Sequence, residues 1–135
     1  MNKKLAATLV FGAAAVATAV GTAHAGFKYT YPLAINLPSR YAVGVLADVR
    51  NTPDTTRYLQ CQTDASIYGS PSVTCSGQDS ASPPNYFQCV SSNASLIANA
   101  HSVGNDSWLW VSWDANGNCT YIGVAKSSDT TPKTN

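Results

Sequence analysis

The sequence predicts a small β-rich α+β domain: an antiparallel sheet or sandwich with one short helix and two disulfides. Three observations support this prediction. Several short runs alternate apolar and polar residues, as half-buried strands do. An Asn116-Gly117 pair separates two such runs near the C-terminus, and a single stretch, 92–103, places apolar residues at helical spacing. Several strands combined with one helix are typical of α+β domains or of a sandwich with an added helix.

The predicted strands lie along most of the chain. Phe27 to Tyr31 alternates aromatic and polar side chains, and Tyr41 to Val49 spaces its valines two and four residues apart. The stretch between them, bracketed by prolines, is predicted to be a connection. Further strands are predicted at Tyr58 to Thr63, around Val73 and Cys75, and at Tyr86 to Val90, with a loop at 76–85 that is rich in Ser and Pro.

The helix over 92–103 has a cap at each end. Ser92 or Asn93 can accept hydrogen bonds from the free N–H groups of the first turn. Gly104 can end the helix. Its apolar face consists of Leu96, Ile97, Ala100 and Val103. A helix this short needs packing against the sheet for its stability.

A C-terminal β-hairpin is predicted over 108–125. Its strands, Trp108 to Trp113 and Thr120 to Ala125, flank Asn116-Gly117, a pair that tolerates the positive φ angles of a tight turn. A turn centred there places Leu109, Val111, Trp113, Thr120, Ile122 and Val124 on one face. The other face then carries Trp108, Trp110, Cys119 and Tyr121.

Residues 1–25 have the features of a cleavable secretory signal peptide. Lys3 and Lys4 precede an apolar stretch from Leu5 to Val20, and Ala23-His24-Ala25 offers small residues at the cleavage positions. A retained membrane anchor is the alternative, although the apolar stretch is short and rich in Ala. Cleavage leaves a single β-rich domain at 26–126 and a flexible tail at 127–135, with no membrane insertion.

The charge of the remaining chain limits its partners. Beyond residue 25 there are six basic side chains against seven aspartates, a net charge of −1, and no Glu. This balance offers no basic surface for a phosphate backbone, so we expect no nucleic-acid partner. It equally disfavours an anionic membrane surface.

All four cysteines follow the signal peptide: Cys61, Cys75, Cys89 and Cys119. An even number in an exported chain favours two disulfides. A zinc site is less favoured because the chain has no C-x-x-C pair. Three pairings are open, and we favour Cys61–Cys75 with Cys89–Cys119, since the first two lie on what looks like one hairpin. The predicted location is the periplasm or the exterior of the cell.

Several segments carry a resemblance to other proteins. They are Leu46-Ala47-Asp48-Val49-Arg50-Asn51, Tyr58-Leu59-Gln60-Cys61, Gln88-Cys89 and Gly117-Asn118-Cys119-Thr120-Tyr121. In these segments the chain resembles small, exported, four-cysteine proteobacterial proteins that are uncharacterised. The resemblance implies export and a four-cysteine plan, and it carries over no catalytic or binding residue.

The sequence gives little support for catalysis. It contains no nucleophile elbow, no zinc-protease motif and no phosphate-binding glycine loop. His101 is the single histidine beyond the signal peptide, and it lies where a helix dipole favours a cation. We therefore predict a non-catalytic protein without a cofactor, and rank a secreted hydrolase last among the functions considered.

Two groups of residues are candidates for ligand binding. Asp114, Asn116 and Asn118 place oxygen atoms at alternate positions, as the start of a calcium loop does, but no bidentate Glu follows and a plain turn explains them better. Trp108, Trp110 and Tyr121 are predicted to share a strand face where sugars can stack, unless the rings belong to the core.

These observations favour a small exported interaction module. The first expectation is a protein partner, such as an envelope or secreted protein, a surface assembly or an inhibited enzyme. Few charged residues remain beyond the signal peptide, which favours a surface that a partner covers. The alternative is a carbohydrate-binding module that uses Trp108, Trp110 and Tyr121.

Overall fold

The computed structural model describes residues 29–127. The predicted signal peptide, residues 1–25, lies outside the described residues, as does the predicted tail after residue 127. The strands are β1 (Ala34–Asn36), β2 (Tyr41–Val45), β3 (Tyr58–Ser66), β4 (Gly69–Gln78), β5 (Tyr86–Ser91), β6 (Trp108–Trp113) and β7 (Cys119–Ala125), and the helices are α1 (Leu46–Arg50) and α2 (Ala94–His101).

The strands form two sheets in which every pairing between strands is antiparallel. One sheet has four strands in the order β1-β2-β6-β7, and the other has three in the order β3-β4-β5. The predicted fold class is therefore confirmed: the protein is β-rich, with the expected short helix, C-terminal hairpin and two disulfides. The favoured pairing is also confirmed, because the disulfides are Cys61–Cys75 and Cys89–Cys119.

One hydrophobic core lies between the inner faces of the two sheets and α2. The first sheet contributes Leu109, Val111 and Ile122, all fully buried. The second contributes Val73, Cys75, Phe87 and Cys89, and α2 contributes Ile97 and Ala100. The rings of Phe87 and Trp113 stack across the two sheets with centroids 4.5 Å apart. Helix α2 begins after Asn93, so the second of the two predicted caps is the one used. It ends at His101 with Ser102 as its C-cap, so the predicted end at Gly104 is wrong.

The predicted strand from Tyr41 to Val49 is wrong in its second half, because the strand ends at Val45 and α1 follows. The chain leaves the sheet at Leu46, whose N–H donates to the carbonyl of Ser107. Three consecutive residues, Ala47 to Val49, are then buried. Successive residues of a strand point to opposite faces of the sheet, so a strand that packs on one core could not bury all three side chains. A helical turn can bury them.

Two further predictions near the N-terminus need correction. The proline-bracketed connection contains the short strand β1, which pairs with β2 through a turn in which Arg40 has a φ of 51°. The predicted strand from Phe27 to Tyr31 is described only from Tyr29 onward. In that part, Tyr29 forms an isolated bridge and no longer strand is present.

The C-terminal hairpin contains a β-bulge that the sequence did not predict. Trp113 pairs with Cys119, but Ser112 pairs with Tyr121, so Thr120 is an extra residue in β7. The bulge turns Cys119 into the core and leaves Thr120 exposed. The predicted faces of Cys119 and Thr120 are therefore wrong. The disulfide to Cys89 on the other sheet gives the reason, since Cys119 must face that sheet to form it.

Candidate functional site

The outer side of the first sheet carries a row of aromatic side chains, which we call the aromatic face: Tyr41, Trp108, Trp110 and Tyr121. The strand register places them together. Ser112 pairs with both Tyr41 and Tyr121, and Trp110 pairs with both Val43 and Gly123. Because side chains alternate along a strand, all of these point away from the core that holds Leu109 and Val111. The structure thus brings together the three predicted residues, and Tyr41 joins them.

The rings of the aromatic face are close neighbours. The centroids of Tyr41 and Trp110 lie 5.4 Å apart with an interplanar angle of 33°, and those of Trp108 and Trp110 lie 5.8 Å apart at 59°. Tyr121 lies beside its own strand over Gly123, where an added Cβ would be 2.7 Å from the ring. Since Gly123 is opposite Trp110, its missing side chain leaves room for the Tyr121 ring next to the indole.

The aromatic face is partly open and uncharged. Tyr121 is 52% exposed, and both tryptophans are half-buried. The outward positions of the described strands in this sheet are all uncharged: Ala34, Asn36, Tyr41, Val43, Trp108, Trp110, Ser112, Tyr121, Gly123 and Ala125. Val45 has the same orientation but is fully buried, so the sheet is covered at that end. Nε1 of Trp110 donates to Oγ of Ser112 at 3.0 Å, which fixes the orientation of the indole. The arrangement presents apolar ring surface beside hydroxyl and amide groups.

The calcium candidate is a compact turn stabilised by its own hydrogen bonds. The carboxylate of Asp114 accepts from the backbone N–H groups of Asn116 and Asn118 and from the side-chain amide of Asn118. These hydrogen bonds, first of all those from Asn118, hold the pKa of Asp114 below its ordinary value. The N–H donors already compensate the carboxylate charge that calcium would need, so the geometry supports the plain turn.

A cleft of about 330 Å³ opens beside this turn, between the ends of the two sheets. Its lining includes Arg40, Tyr86, Gln88, Trp113 and Asp114. The cleft is shallow, and its acidic group is occupied within the turn.

The structure places His101 in the last turn of α2, where its side chain is exposed. Two loop aspartates have structural partners. Asp54 accepts from the backbone N–H and the hydroxyl of Thr56, and these bonds lower its pKa to about 2. Asp79 accepts from Asn85 and from the N–H of Ala81. Within residues 29–127, no three His, Cys, Asp or Glu side chains lie close enough together to hold a metal ion.

Comparison with protein-family models, with curated proteins and with solved structures found no match. The two disulfides are consistent with a protein that works outside the cytoplasm. Among the described residues, no helix is both long and apolar enough to cross a bilayer.

Proposed function

We propose that this chain is an exported, non-catalytic binding module and that its aromatic face binds a neutral carbohydrate. The single observation that supports the ligand class is the contiguous, uncharged row of Tyr41, Trp108, Trp110 and Tyr121 on an outer sheet surface. Export rests on the predicted signal peptide and on the two disulfides. The periplasm and the exterior of the cell both fit this proposal.

The chemistry of sugars matches this surface. One side of a pyranose ring presents several C–H groups, which carry a slight positive charge and have little affinity for water. The face of an aromatic ring is negative, so it attracts such groups while both surfaces lose water. The hydroxyls at the edge of a sugar then need polar partners, which Ser112, Asn36 and the two tyrosines of the aromatic face can supply. A charged surface would instead favour an acidic or basic ligand.

Glycan-array screening of the chain without its signal peptide tests this proposal, followed by calorimetry with the strongest neutral ligand. Replacing Trp110 by Ala removes the central ring, and we expect affinity to fall about tenfold or more. Tyr121→Ala is the second variant, because a ring that is already 52% exposed can be removed with little effect on folding.

Tyr86→Ala is the matched control, since Tyr86 is 47% exposed on the other sheet. It should bind like the unmodified protein. Circular dichroism of each variant shows whether the fold is intact. The proposal fails if no neutral glycan binds, or if the folded Trp110 and Tyr121 variants retain full affinity.

A protein partner is the second candidate function. The observation that favours it lies on a different surface, the exposed tip of the hairpin formed by β3 and β4, where Ile67 and Tyr68 make almost no contact with the domain.

A further inference from the structure

The hairpin of β3 and β4 extends beyond its own sheet. Strand β5 pairs with β4 only from Gln78 to Val73, so the outer part of the hairpin has no third strand. Residues 64–71 of this part are all exposed, and we call them the hairpin arm. With a rise of about 3.4 Å per residue, the arm projects on the order of 10 Å past the last three-stranded row.

Ile67 and Tyr68 occupy the tip of the hairpin arm. They form the two-residue turn between the paired residues Ser66 and Gly69. Their side chains are 90% and 93% exposed, the highest values among the large hydrophobic residues of the described chain. Two apolar side chains on a protruding tip gain nothing from burial in this domain, so the fold itself provides no reason for them.

Local turn chemistry does not explain these residues either. Neither Ile67 nor Tyr68 has a positive φ, so the turn is not of the types that need Gly, Asn or Asp, and it accepts most residues. The N–H of Tyr68 donates to Oγ of Ser66 at 3.1 Å, so a flanking residue stabilises the turn. The turn therefore does not require a large apolar side chain at either position, and two such exposed side chains are typical of an interaction site.

The base of the hairpin arm is firmly held. Cys61 and Cys75 are directly opposite each other, with Cα atoms 4.0 Å apart, and their disulfide joins the two strands. Val73, which pairs with Thr63 at the foot of the arm, is fully buried in the core. A short two-stranded ribbon is marginal by itself, so this anchoring pre-organises the tip and lowers the entropy lost on binding.

We propose that Ile67 and Tyr68 dock as an apolar anchor into a concave cleft on another exported protein. A convex, braced tip is complementary in shape to a cleft, and tyrosine is among the residues that contribute most to protein interfaces. The charge of the arm limits the partner further. Its single charged residue is Asp64, and it has no basic residue that could bind an anionic lipid surface. The cleft of the partner therefore has an apolar floor and a neutral or basic rim.

This site is independent of the carbohydrate proposed for the aromatic face, because the two lie on different sheets. Loss of one should leave the other intact. Variants of the tip are expected to bind glycan normally, and Trp110→Ala is expected to bind the protein partner normally. The failure of either proposal is therefore visible without the other.

The experiment uses the full chain in the cells that produce it, with a photo-crosslinking amino acid at position 68. The same amino acid at position 86 is the control, because Tyr86 is also an exposed tyrosine, on the edge strand of the same sheet. We expect a discrete adduct with one exported protein from position 68 and none from position 86. That protein is then purified, and its affinity for the unmodified domain is measured by calorimetry.

The double variant Ile67→Ser with Tyr68→Ser should bind the purified protein at least about 30-fold more weakly, as expected for the loss of an interface anchor. Tyr86→Ser should leave affinity unchanged. The tip is exposed in the folded domain, so these changes should not affect folding, which circular dichroism checks.

Three kinds of outcome would overturn the proposal. The first is a failed interaction, seen either as no adduct at position 68 or as equal affinity of the double variant. The second is flotation of the protein with phosphatidylcholine or phosphatidylglycerol vesicles that depends on the tip, which would make the ligand a membrane. The third is a dimer in analytical ultracentrifugation that dissociates in the double variant, which would make it a second copy of this chain.

Discussion

Gly77 occupies a position where the second sheet has no room for an added methyl group. It lies in the central strand β4, paired with Leu59 on one side and with Phe87 on the other. An added Cβ would be 2.7 Å from Cε1 of Phe87 and 3.0 Å from the carbonyl oxygen of Tyr58. The Phe87 ring cannot easily move, because it stacks on Trp113. We expect Gly77→Ala to lower the free energy of unfolding by about 1–3 kcal/mol, measured by urea denaturation.

Gly69→Ala is the matched control for this change. Gly69 is in the same strand, but no atom lies within 4 Å of the position that its Cβ would occupy. Its φ is not in the left-handed region, so alanine is tolerated there. The free energy of unfolding should change by no more than about 0.5 kcal/mol. Equal losses for the two variants would contradict the packing of Gly77 against Phe87.

At the scale of the element, the cap of α2 provides the sharpest prediction. Oδ1 of Asn93 accepts from the backbone N–H groups of Ser95 and Leu96 at 2.9 and 3.3 Å. Asn93→Ala should therefore lower the free energy of unfolding by about 1 kcal/mol. Because Ile97 and Ala100 pack into the shared core, the loss should appear in global unfolding by urea. Ser92→Ala, the other cap compatible with the sequence, should have no effect; if it were the damaging change, the cap would be misassigned.

Elements whose signals lie within a few residues could be predicted from the sequence. Helix α2 has its cap and its apolar face within 93–103, and the C-terminal hairpin has its turn between two alternating runs. The errors occur where distant residues decide the local structure. The chain enters α1 after Val45, where the buried Asp48 accepts from the N–H of Tyr31, and the bulge at Thr120 accompanies the bond from Cys119 to Cys89. Neither partner is close in the sequence.

The two proposed binding surfaces also depend on contacts between distant residues, which the sequence could not predict. Trp108, Trp110 and Tyr121 could be placed on one face because a short hairpin fixes their register. Tyr41 joins them only because β2 pairs with β6, a contact between segments more than sixty residues apart. The exposure of Ile67 and Tyr68 likewise depends on β5 ending opposite Val73. Tertiary pairing completes one surface and exposes the other, and no local pattern in the sequence specifies it.

At the scale of the whole molecule, the two disulfides have different structural roles. Cys61–Cys75 lies within one hairpin, whereas Cys89–Cys119 joins β5 of one sheet to β7 of the other. The loops that they close are 14 and 30 residues long in sequence separation. Chain-entropy reasoning gives about 3 kcal/mol of stabilisation for the first loop and closer to 4 kcal/mol for the second.

The position of Cys89–Cys119 should widen this difference. Both of its cysteines are buried in the core between the sheets, while Cys61 is only half-buried. We therefore expect the double variant Cys89→Ala with Cys119→Ala to lose more free energy of unfolding in urea than Cys61→Ala with Cys75→Ala. Hydrogen exchange should show faster opening in both sheets for the first variant, because the covalent link between them is gone. For the second variant, the increase should be concentrated in the hairpin of β3 and β4. The reverse order of stabilities would mean that the second sheet depends more on its own hairpin than on its attachment to the first.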